Sequence, residues 1–189
     1  MTAHLSLEHI NDVLAKSTQL FTVEQVEAAI DKMAAKIDAD LSETNLVCLT
    51  VMVGGLIPAG GLLKRLHFPM ELDYVHATRY RGDTTGKDLH WIVKPTRSLK
   101  DRTVLIIDDI LDGGITLSRI VEFVEAQSPK KVYTAVLIEK ECKREPGAIN
   151  KADYCALTVE NRYIYGYGMD YKEYLRNAPG IFAVAKEHE

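Results

Sequence analysis

The sequence predicts an α/β fold: a doubly wound, mainly parallel sheet flanked by helices. Short apolar runs rich in β-branched residues alternate with helical or Gly-led segments along the 189 residues, as strands do when crossover helices join them. The clearest run is Val104-Leu-Ile-Ile, followed by Asp108-Asp109-Ile-Leu-Asp112-Gly113-Gly114-Ile115-Thr116. Its four apolar residues, three of them β-branched, read as a buried parallel strand. Two carboxylates sit where that strand ends, then a third, a Gly pair, and Thr116, which reads as the cap of the next helix.

The elements follow in order. Residues 6–40 read as helical: Thr22-Val-Glu-Gln25 is a capping box, and Val26, Ile30, Met33 and Ile37 recur on one face. Leu46 to Val53 is an apolar strand that Gly54-Gly55 breaks, and a helix runs on to about Leu66. Met70 to Thr78 is a second strand, and His90 to Lys94 another. Residues 79–90 between them are polar, hold Gly82 and Gly86, and read as a mobile loop in a long hairpin. After the central strand come a helix at about 116–127, a strand from Lys131 to Glu139 that Lys140 closes, and a last strand from Asp153 to Val159.

A chain of this length reads as one domain, residues 1–189. The net charge of −4 implies no general affinity for polyanions, so neither nucleic acid nor a membrane is the expected partner. Three cysteines without a CxxC pair form neither a disulfide framework nor a zinc site, which points to the cytoplasm. The N-terminus has no basic region followed by an apolar core, and no apolar run approaches the ~20 residues of a membrane helix. Six scattered histidines show no metal-ligand spacing and read as packing or surface residues.

In an open α/β sheet, ligands bind at the carboxyl ends of the strands. A turn of backbone N–H groups opening a helix holds phosphate, and carboxylates beside it suit sugar hydroxyls or hydrated Mg²⁺. Residues 108–116 therefore read as a site for a phosphorylated sugar. A Walker-type loop is excluded, since no Gly-Lys-Ser/Thr occurs.

Asp108 to Thr116 resemble, position for position, the 5-phosphoribosyl-1-pyrophosphate (PRPP) motif of type I phosphoribosyltransferases. A second match is Tyr163-Ile164-Tyr-Gly-Tyr-Gly-Met-Asp170-Tyr171, followed by Glu173-Tyr174 and Arg176, which resembles the C-terminal motif of the hypoxanthine-guanine branch. The resemblance covers roughly residues 45–186. It implies the type I fold, with a small hood built from N-terminal and C-terminal segments. It also implies transfer of phosphoribosyl from PRPP to hypoxanthine or guanine, with Mg²⁺ as cofactor, in a homo-oligomer that is a dimer or tetramer.

The same resemblance assigns roles. Asp108, Asp109, Asp112, Gly113, Gly114, Ile115 and Thr116 would hold PRPP, with Asp112 the acid/base at purine N7. Val53, Gly54, Arg79, Tyr80 and Arg176 would face pyrophosphate, and Asp108 and Asp170 would hold metal. Lys140, Tyr163 and Ile164 would take the purine: an ammonium only donates, and so favours a 6-oxo group over a 6-amino group. Val53 stands where the family often has Lys, and Arg79 where it usually has Ser. The peptide before Val53 is expected to be cis, and residues 79–90 to form a lid. A xanthine-preferring transferase, and a non-catalytic nucleotide- or RNA-binding regulator on the same fold, are the alternatives.

Overall fold

The computed structural model describes residues 4–79 and 89–189, with the side chain of Arg79 outside that description. The elements run α1 (Leu7–Lys16), β1 (Thr18–Phe21), α2 (Val23–Leu41), β2 (Leu46–Met52), α3 (Leu56–Leu63), β3 (Met70–Arg79) and β4 (Leu89–Val93). They continue with β5 (Thr103–Leu111), α4 (Ile115–Glu125), β6 (Lys131–Glu141), β7 (Tyr154–Glu160), β8 (Ile164–Tyr165) and β9 (Ile181–Ala183).

The described residues form two sheets. The larger has the order β4-β3-β2-β5-β6-β7. All its pairings are parallel except β3 with β4, the expected hairpin. Side chains alternate across it. Leu46 and Cys48 of β2 join Ile107 under α2 and α3, while Val47 and Leu49 join Ile106 under α4. Both faces are thus covered, which is why β2 and β5 read as continuous apolar runs rather than alternating ones. From β2 the chain winds to β3 on one side, and β5 leads to β6 and β7 on the other. The β2/β5 boundary is therefore the switch point, where a crevice opens at the strand ends.

The smaller sheet, β1-β9-β8, joins N-terminal and C-terminal segments as the expected hood. It corrects the helical reading of residues 6–40: Thr18–Phe21 is a strand antiparallel to β9. Its partner lies about 160 residues away in the chain, so local periodicity could not reveal it. The capping box at Thr22 is present and starts α2 there. Ile10 and Val13 of α1 pack against Tyr165, Tyr171 and Val184 beneath this sheet.

Helix α4 starts one residue earlier than Thr116, so Thr116 does not cap it. The cap is Gly114 at φ 85°, a left-handed conformation that glycine takes without steric cost. Strand β6 runs on to Glu141, so Lys140 lies inside it rather than closing it. Tyr80 and the expected lid, apart from its ends at Arg79, Leu89 and His90, lie outside the described residues. Among those described, no helix is long and apolar enough to cross a membrane.

Candidate active site

A cleft of about 320 Å³ opens at the switch point, between the ends of β2 and β5. It is lined by Val53 and Gly54, by the acidic turn Asp108 to Gly114 with Thr116, and by Glu173 and Arg176. His76 to Thr78 of β3 line it too, so four stretches far apart in the chain share one crevice. Of the residues singled out in the sequence, Ile115, Lys140, Tyr163, Ile164 and Asp170 do not line it. Lys140 and Asp170 still reach it through side chains that do.

The β2 turn is shaped by contact. A Cβ on Gly54 would overlap the Asp109 carboxylate, and a Cβ on Gly168 would overlap the Gly54 carbonyl. Gly168 also stands at φ 111°, which side chains rarely adopt. Gly54 is therefore held between the acid pair and the C-terminal motif. The Met52–Val53 peptide is cis, as expected.

Asp108 and Asp109 are each 8% exposed. Asp108 Oδ1 accepts the Asp109 N–H at 2.9 Å. Burial, then the neighbouring Asp109 charge, pushes the Asp108 carboxyl well above the ordinary range. Burial also raises Asp109, opposed by the Asp108 hydrogen bond and by the Arg176 charge. Two carboxylates in one dry place create a demand for a cation.

Asp112 is different. Lys140 Nζ lies 3.0 Å from its Oδ2, and Cys142 Sγ lies 3.4 Å from its Oδ1. Arg144 Nη1 donates to its main-chain carbonyl at 2.9 Å. Burial works to raise this carboxyl, but the Lys140 hydrogen bond and charge, together with Cys142 and Arg144, hold it low. Arg144 is itself anchored on Glu139 at 3.0 Å, and Glu145 N–H donates to the Gly113 carbonyl at 2.9 Å. Cys142 and Arg144 were missed in the sequence. The sequence carried no signal for them: β6 ends at Glu141, and the chain then turns, with the Cys142 N–H bonding the Lys140 carbonyl at 3.0 Å.

The C-terminal motif forms the opposite wall. Arg176 meets Asp170 at 2.9 Å, Glu173 at 3.3 Å and Asp109 at 4.0 Å, and donates to the Gly168 carbonyl at 2.7 Å. Asp170 Oδ2 also accepts the Glu173 N–H at 2.7 Å. The Tyr163 ring leans on Tyr171, with centroids 5.5 Å apart, and its hydroxyl accepts the Lys172 N–H at 3.1 Å. Ile164 is buried and pairs with Ala183 in β9. The Tyr163 carbonyl takes the Val184 N–H at 2.8 Å, so Ile164–Ala183 is the non-bonded pair of that ladder. The Ile164 amide and carbonyl consequently point away from β9, at the edge of the hood sheet. Among the described residues, three metal-capable side chains converge only at Asp12, Glu187 and His188 beside α1, where Lys16 bonds both carboxylates.

Residues 16–172 match the family described as phosphoribosyl transferase domain. A hypoxanthine-guanine phosphoribosyltransferase of Staphylococcus epidermidis is 30% identical over 169 residues, which is 89% of this chain and 93% of the relative. A hypoxanthine-guanine-xanthine phosphoribosyltransferase of Tritrichomonas foetus is 29% identical over 168 residues, 89% and 91% of the two chains. The crystal structure of a hypoxanthine phosphoribosyltransferase from Staphylococcus aureus aligns with a TM-score of 0.86 at 27% identity, covering 97% of this chain and 98% of that one.

Proposed function

The chain belongs to the phosphoribosyl transferase domain family, and from that membership we propose that it is a purine-salvage enzyme. It transfers 5-phosphoribosyl from PRPP to N9 of hypoxanthine or guanine, giving IMP or GMP and pyrophosphate. The observation that carries this reading is the 3.0 Å pair of Asp112 with Lys140. It joins the phosphate-binding turn to a donor-only cation suited to a 6-oxo group.

The residues then take these parts. The main-chain N–H groups of residues 113–116, at the start of α4, receive the 5′-phosphate. Asp108 and Asp109 accept the ribose hydroxyls. As the bond from C1 to pyrophosphate breaks, its electron pair leaves with the pyrophosphate. The bond from N9 forms, and the base loses its N7 proton to Asp112. Both Asp112 oxygens are engaged by Lys140 and Cys142, so Lys140 turns to O6 and frees Oδ2. Adenine presents a 6-amino donor there, and two donors do not pair. Ile164 offers its outward main-chain groups to the base edge beside Tyr163. Arg176, on a wall with Val53 and Gly54, faces pyrophosphate.

Mg²⁺ suits an all-oxygen donor set, and the paired Asp108 and Asp109 are where a cation relieves most repulsion. Asp170 fits less directly, because both its oxygens are already bonded within the chain. Bound there, Mg²⁺ would supply charge neutralisation for the leaving pyrophosphate. A homo-oligomer is supported by Val53, Leu56, Leu72 and Tyr74, all 42–54% exposed around α3. A cytoplasmic location is supported by the three free thiols.

The test is turnover with Mg²⁺, PRPP and each of hypoxanthine, guanine, xanthine and adenine. Product is expected with the first two and none with adenine. Turnover with xanthine alone would move the assignment to the xanthine-preferring branch. No turnover with any base would overturn the enzyme reading.

A further inference from the structure

The charge lining the cleft is the wrong sign for its cargo. Asp108, Asp109, Asp112 and Glu173 face it, against Arg176 and one imidazole, His76. Arg176 is already engaged by three carboxylates and a carbonyl. Val53 brings no charge. His76 is half-buried, and among the described residues no hydrogen bond or ion pair engages its side chain. Its place is specific: in the parallel register of β2 and β3 it stands beside Met52, one residue before the Val53-Gly54 turn. On its other side it pairs with Val93 of β4. Both in-register neighbours are apolar, and the charged groups that share the cleft with it are the four carboxylates and Arg176.

We propose that His76 is a ligand of the pyrophosphate group, donating from its imidazolium form to the diphosphate oxygens of PRPP and of the released product. This rests on the phosphoribosyl-transfer reading above. A bound diphosphate favours the cationic form of an imidazole beside it. His76 therefore makes the pyrophosphate subsite proton-sensitive in the physiological range, which a lysine at Val53 would not. Protonated, it grips the anion; as pH rises, it lets go.

Calorimetric binding of magnesium pyrophosphate to wild type, His76→Gln and His76→Lys at about pH 6 and pH 8 tests this, alongside wild-type turnover. Wild-type affinity is expected to fall by about tenfold across that range, the size of one charged hydrogen bond. His76→Gln should bind about tenfold more weakly at the lower pH and show only the slope of pyrophosphate's own ionisation. His76→Lys should restore tight binding at both, which excludes mere misfolding. The KM for PRPP should follow the same order. If wild type turns over and His76→Gln binds pyrophosphate as wild type does at both pH values, this inference alone is overturned. If wild type neither turns over nor binds pyrophosphate, the transfer reading has failed and this inference falls with it.

Discussion

Asp112→Asn keeps the size of the side chain and removes its basicity. A general acid/base contributes ~10²–10⁴-fold, and that loss is expected in kcat for hypoxanthine, with the unfolding curve little changed. Unchanged kcat would remove Asp112 from proton transfer. Lys140→Ala acts on the same group from the other side. Lys140 is the main influence holding the Asp112 carboxyl low, so its loss lets that carboxyl titrate higher. The acid limb of the kcat/KM–pH profile, which reports the free enzyme, should move to higher pH, because the base must be ionised to work. KM for hypoxanthine and guanine should rise roughly 10–100-fold, as one charged hydrogen bond to ligand is lost. An unmoved limb and an unmoved KM would return Lys140 to a structural role. The resemblance pointed to both residues. Cys142 and Arg144, which hold Asp112, were invisible, since nothing local says that the end of β6 reaches across to the turn after β5.

At the scale of elements, the site depends on how closely three turns approach. Gly54→Ala would drive a methyl group into the Asp109 carboxylate. The turn or the acid pair must move, at a cost of about 1–3 kcal/mol by urea unfolding. kcat/KM for PRPP should fall more than about tenfold, since positioning errors of about 1 Å can cost 10²-fold. An alanine variant with wild-type kinetics would show that this contact does not position the acids. The glycines were legible as breaks in a pattern. That Gly168 bears on Gly54, 114 positions earlier, was not. Strand β1 teaches the same lesson: four residues between two helices carry too little periodicity to declare a strand, and only β9 makes them one.

For the whole molecule, the buried acid pair sets function against stability. The Asp108 carboxyl is raised in the fold above its ordinary value near 3.9. The folded state thus favours the protonated form, and stability declines as pH climbs from that value through the raised one. Asp108→Asn removes the ionisation cost while keeping an acceptor for the Asp109 N–H. Without Mg²⁺ at about pH 7, its Tm should exceed wild type by roughly 2–8 °C, from about 1–2 kcal/mol. The gap should narrow toward about pH 4, where the wild-type carboxyl is already protonated. PRPP binding should be lost. Scanning calorimetry across that range checks the sign, and a variant less stable at pH 7 would refute it.

What the sequence alone determined is the alternation of buried strands and helices, the acidic turn at the end of β5, the Gly break after β2 and the tyrosine-rich C-terminal motif. Each is carried by residues adjacent in the chain, where hydrophobic period, turn chemistry and order of charges are local properties. Only the tertiary structure decided which groups meet. It brought Lys140, Cys142 and Arg144 onto Asp112, set Gly54 between Asp109 and Gly168, and turned an unassigned histidine toward the cleft. The reason is physical: strand order and register place side chains from distant segments within a few ångströms, and burial then decides how their charges behave.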